Sequence, residues 1–177
     1  MKNFMLNKLR FFRKSEDGNA AVEFAIMFPV LLVFLMMSVE VGLMTLRHTM
    51  LERAMDDTVR WVRLNTGGAP THEELKARIC EYNVVPDCAT NLHLEMVVRD
   101  VRNWTDLPST FACTDASETI APMSEYSFGM DNELVVLRAC AKYTPIFPSS
   151  KFASALQTDG AGDTSITAMT AFVQEPR

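Results

Sequence analysis

From Phe24 to Val39 no residue is charged, and the apolar character reaches back to Ala20. Ala20 to Val39 is about twenty residues, or roughly 30 Å of helix, the thickness of a bilayer core. Glu23 interrupts the run. An unpaired carboxylate there would cost on the order of 2.5–3.5 kcal/mol on insertion scales, so a partner is expected. Pro29 also lies in the span and removes one backbone donor, which predicts a mild kink in the turn before it. Glu40 falls at the far edge, where it is expected to sit in water at the interface. Beyond it, TLRHTMLERAMDDTVRWVRLN repeats Leu51, Met55, Val59 and Val62 at three- and four-residue intervals. Arg47, Glu52, Arg53, Asp56, Asp57, Arg60 and Arg63 fall on other faces. One helix is therefore predicted from about Asn19 to Asn65, roughly 70 Å long and ended by Gly67-Gly68. Its Met50, Met55 and Trp61 read as core.

The pattern then changes. Thr71-His72-Glu73-Glu74 has the form of a capping box and opens a second helix, Thr71 to Tyr82, with Leu75, Ile79 and Cys80 inward and His72 on the surface. Leu92, Leu94, Met96 and Val98 alternate with His93, Glu95, Val97 and Arg99, the mark of a half-buried strand. Glu133 to Tyr143 is a second strand, stopped by Pro145 and Pro148, and Ser165 to Val173 is a third. Asn103 to Asp131, rich in Ser, Thr, Asp and Pro, reads as loop with room for a short extra strand, and as the surface freest to contact partners. The expected fold is α+β. A long N-terminal transmembrane helix continues into a small domain holding a second helix and an antiparallel sheet of three to four strands.

Charge orients this arrangement. Up to Gly18 the chain holds five basic and two acidic residues; the remainder holds twelve Lys and Arg against twenty Asp and Glu. Positive flanks stay cytoplasmic, which puts the N-terminus in the cytoplasm and the acidic bulk across the membrane: a basic segment 1–18, a membrane helix 19–46 and an exported domain 47–177. An acidic exported domain repels phosphates and argues against nucleic acid as a partner. The apolar run is too long for a secretory h-region, and S-V-E-V-G-L-M after it offers no small-residue cleavage site.

Four cysteines, Cys80, Cys88, Cys113 and Cys140, all follow the membrane helix. An even number in an exported domain reads as two disulfides, for which three connectivities exist. Cys80–Cys88 would staple the second helix to the next loop, and Cys113–Cys140 would pin the long loop to a strand; this pairing is preferred. Zinc is disfavoured, because there is no C-x-x-C pair and no histidine couple. No metal or other cofactor is expected. Nucleophile-elbow, P-loop, H-E-x-x-H and dinucleotide fingerprints are all absent, and His48, His72 and His93 are scattered over two helices and a strand. Catalysis is not expected.

One pattern remains. The basic leader KNFMLNKLRFFRK runs into Ser15-Glu16-Asp17-Gly18 and then directly into the apolar helix. A cut after Gly18 would make Asn19 the first residue and Glu23 the fifth, an arrangement that resembles the type IV prepilin signal. A-A-V-E-F-A-x-x-x-P from Ala20 to Pro29, L-L-V-F-L after it, and E-x-G from Glu40 to Gly42 are similar to the TadE/TadF-like minor pilins of the Tad, or tight-adherence, pilus system. The likeness is looser in ELVVLRACAKYTPIFP and the closing TAFVQEP. It implies a structural pseudopilin cut by the system's aspartic prepilin peptidase. In such a protein Glu23, with Phe24 beside it, pairs with an N-terminal amine and Pro29 aids subunit packing. The implied partners are that peptidase, other Tad pilins, the inner-membrane assembly platform and the lipid bilayer. Residue chemistry agrees: a small Gly18 suits a backbone held extended in a peptidase, and the leader's charges suit an anionic leaflet. The alternative is an uncleaved, signal-anchored periplasmic interaction module.

Overall fold

The computed structural model describes residues 19–65, 68–107, 113–114, 125–148, 153–156 and 158–176. Residues 1–18, expected to form a leader, and much of the 103–131 segment lie outside the described residues. Helix α1 is Asn19–Leu64, α2 is His72–Cys80 and α3 is Cys88–Asn91. Strands β1 (Leu92–Arg99), β2 (Leu134–Tyr143) and β3 (Thr164–Val173) follow, with a 3-10 turn at Ala153–Ala155 before the last. The chain divides into two compact units, one ending at Val39 and the other running Glu40–Arg177.

In the first unit α1 exposes its apolar side chains, Phe24, Ile26, Met27 and Phe34 among them. The helix is long and apolar enough to cross a membrane, and a helix apolar all round is stable exposed only in lipid or inside a protein.

The second unit is a three-stranded antiparallel sheet in the order β1-β2-β3. Leu92 faces Ala141 and Arg99 faces Leu134; on the other side Leu134 faces Val173 and Tyr143 faces Thr164. One core joins Leu51, Ala54, Met55, Val59 and Val62 of α1 to Leu75 and Ile79 of α2 and to Leu94, Met96, Leu137, Ile166 and Phe172 of the sheet. The three- and four-residue spacing in α1 is thus a buried stripe. Met50 departs from the core expectation and is 37 % exposed.

The capping box forms at α2. The Thr71 N–H donates to Glu74 Oε2 at 2.8 Å, and the Glu74 N–H donates to Thr71 Oγ1 at 3.2 Å. The helix stops at Cys80, and Tyr82 beyond it donates its hydroxyl to Asp57 of α1. The structure pairs Cys80 with Cys88, Cα atoms 5.6 Å apart, and Cys113 with Cys140, Cα atoms 5.5 Å apart. The first bridge joins the end of α2 to the start of α3; the second holds the long connection against β2.

Strand burial exceeds the alternating expectation. In β1 His93 and Val97 are buried as well as Leu92, Leu94 and Met96, and every residue of β2 from Val135 to Tyr143 is buried. The polar residues on the second face survive there because they are paired. Arg138 Nε donates to Glu95 Oε2 at 2.7 Å, and Lys142 donates to Asp159. Asp159 also accepts from the N–H groups of Ala161 and Asp163 at 3.0 and 2.9 Å. Burial pushes its pKa up, but these donors outweigh burial and hold it below the usual value. Tyr126 makes a single parallel bridge to Met96, the extra pairing for which the long loop had room.

Candidate processing and assembly site

Asn19 and Glu23 both lie in helix α1. Residues 19 and 23 are therefore one turn apart on one face, close enough for a group at residue 19 to meet the Glu23 side chain. Glu23 is exposed in the single chain. Phe24, 65 % exposed, stacks on Phe28 one turn later, with ring centroids 5.1 Å apart. Helix α1 continues unbroken through Pro29. Gly18 lies outside the described residues.

A second acidic residue on α1 departs from expectation. Glu40 is not in water; it is 1 % exposed. Its Oε1 accepts from the Ile146 N–H at 3.2 Å and its Oε2 from the Phe147 N–H at 3.0 Å. Two charge-assisted bonds from consecutive backbone groups offset the desolvation that would otherwise expel the carboxylate. Tyr143, at the end of β2, is buried nearby, and the Arg47 guanidinium lies 4.3 Å from its ring centroid. Burial pushes the Tyr143 phenol above its usual range; the Glu40 charge adds to this and Arg47 opposes it. The donors to Glu40 lie 106 and 107 residues away in sequence. The available signal was a lone carboxylate among apolar neighbours, the same isolation that drew attention to Glu23.

His72 is likewise more than a surface residue. Its Nε2 lies 3.2 Å from the Leu94 carbonyl, and its ring meets Tyr126 edge-on at 5.6 Å. Tyr126 in turn donates to the Pro70 carbonyl, and burial, assisted by the Glu74 charge, pushes its phenol up to about 12. His72 therefore ties the first turn of α2 to β1 and to the segment bridged to it. Among the described residues, no group of three or more His, Cys, Asp or Glu side chains is placed to hold a metal ion.

No curated protein and no solved structure matches the chain. The family model described as TadE-like protein matches residues 18–60. That stretch runs from the glycine before α1 through the exposed apolar half of the helix, past Glu40, and into its buried stripe. Over residues 18–60, and not beyond, the chain is similar to the TadE-like proteins.

Proposed function

We propose that this protein is a minor pilin, or pseudopilin, a structural subunit in the assembly of Tad-type adhesive pili. It is made with a basic cytoplasmic leader, residues 1–18, that a prepilin peptidase removes after Gly18. The helix then stays in the inner membrane over 19–46, and residues 47–177 stand in the periplasm. Removal of the leader creates a positive α-amine at Asn19, one turn from Glu23. Pairing of that amine with Glu23, in the same chain or a neighbour, lowers the cost of a carboxylate in hydrocarbon, since a partnered charge is far cheaper than a lone one. Phe24 and Pro29 shape the surface that neighbouring helices meet. Other pilins and the inner-membrane assembly platform are its partners.

The observation that carries this reading is that the family match opens at residue 18, five residues before Glu23, the only charge between Asn19 and Val39. Two disulfides in the second unit support an oxidising compartment for the domain. The direct test is the intact mass of the protein purified from membranes of its native host. A chain starting at Asn19 is expected. A chain retaining the leader, with the peptidase active on other pilins, would leave an uncleaved membrane-anchored periplasmic module. Glu23→Ala is expected to insert normally and to abolish surface pili; normal piliation would remove the pairing role.

A further inference from the structure

Helix α1 carries no charge between Phe24 and Arg47 except Glu40. With Glu40 folded beneath the 144–148 turn, no charged side chain is exposed on the helix over that whole length. The turn is held at the level of residue 40, which along the helix lies roughly 10 Å before Arg47, the next charge. It reads Thr144-Pro145-Ile146-Phe147-Pro148 and has no charge of its own. Ile146 is 50 % exposed, Phe147 is partly exposed and Pro148 is exposed. On α1, Val41 and Leu46 flank the Glu40 face at 43 % and 49 % exposure. The polar margin is near: Thr144 donates to Asp163 at 2.6 Å, and Arg47 covers Tyr143.

Exposed apolar side chains grouped in this way mark a contact surface. We propose that the 145–148 turn is a second membrane contact, with Ile146, Phe147 and Pro148 entering the bilayer interface beside α1, and that Glu40 is the residue that positions it there. The occupant of this patch is lipid, because Ile146 and Phe147 are held at Glu40, the residue that directly follows the uncharged run Phe24–Val39 in sequence, and no charged side chain on the helix is exposed from there up to Arg47. Interfacial segments of this kind bury their apolar side chains about 5–10 Å into the headgroup and acyl boundary. The carboxylate serves this arrangement better than an apolar residue would, since it satisfies two backbone N–H groups that lipid could not. The inference rests on the membrane-anchor reading of α1.

All four cysteines are in disulfides, so one added cysteine can be labelled alone. The full chain would be placed in vesicles of phosphatidylethanolamine and phosphatidylglycerol containing lipids with acyl-chain quenchers. A small fluorophore would be attached at Ile146→Cys, at Phe34→Cys within the apolar helix, or at Met130→Cys. Met130, 76 % exposed, lies at the opposite end of β2 from the turn. Strong quenching at 34, clear quenching at 146 and little at 130 are expected. Quenching at 34 with 146 no different from 130 would overturn the proposal while leaving the anchor intact. Absence of quenching at 34 would overturn the anchor reading and this inference with it. In Glu40→Gln the amide oxygen can still accept, but with only one acceptor for two donors the signal at 146 should drop at least twofold while that at 34 holds. An unchanged signal at 146 would remove the role assigned to Glu40.

Discussion

Glu40 and His93 show how this domain handles polar groups it cannot leave in water. Glu40 stays buried because two backbone N–H groups converge on its two oxygens. His93 is buried on β1 opposite Cys140 of β2. Burial holds its pKa below the usual 6.5, with His72 and Lys76 pushing the same way and Glu95 opposing. Between the folded value and about 6.5 the unfolded chain binds more protons than the folded one, so stability falls as the pH falls through that window. Above about pH 6.5 the contribution is complete. The urea midpoint of the full chain in detergent should therefore fall from about pH 7.5 to about pH 5, and should fall less in His93→Gln. Equal slopes in the two proteins would show that His93 does not carry the effect.

The elements differ in how they are held. Most of them obey a local period: α1 keeps its buried stripe at three- and four-residue spacing, α2 carries its own capping box, and the sheet's core-facing residues alternate. These were legible because each pattern is complete within a few turns or residues, and the strands fall within one residue of the expected bounds. Helix α3, with four residues, and the three-residue 3-10 turn are too short to carry a period, and neither was foreseen. The disulfides act on longer connections. Cys113–Cys140 spans 27 residues and Cys80–Cys88 spans 8. On the loop-entropy argument each contributes roughly 2–4 kcal/mol, the longer about 1 kcal/mol more. The double variant Cys113→Ser/Cys140→Ser should lose more stability in urea than Cys80→Ser/Cys88→Ser. A reversed order would show that local packing, including that of the buried Cys88, outweighs loop length.

At the scale of the whole molecule, an exposed apolar helix unit and a disulfide-bonded domain have separate requirements for stability. One needs lipid or protein neighbours; the other has its own core. In the proposed pathway the leader is the part that must be removed before the helix start can take part in assembly. Gly18→Trp is expected to leave the precursor uncut, heavier by the leader, still in the membrane and with both disulfides formed, but without surface pili. Mass spectrometry and electron microscopy would check this, and a normally trimmed chain would show that the peptidase does not require a small residue at the cut.

What the sequence determined by itself is whatever depends on neighbours along the chain. The uncharged length of the span, the stripe of α1, the cap of α2 and the alternation of the strands are all of this kind, because helical and extended backbones turn local spacing into faces. The tertiary structure decided whatever depends on a distant partner. Which cysteines join, why Arg138 and Lys142 are buried, and why His72 faces Leu94 all depend on segments brought together by the fold. Glu40 is the clearest case. A lone carboxylate between apolar residues reads as solvated, because nothing nearby can offset its desolvation. Only the turn that returns after β2 supplies the two N–H groups that let it remain inside.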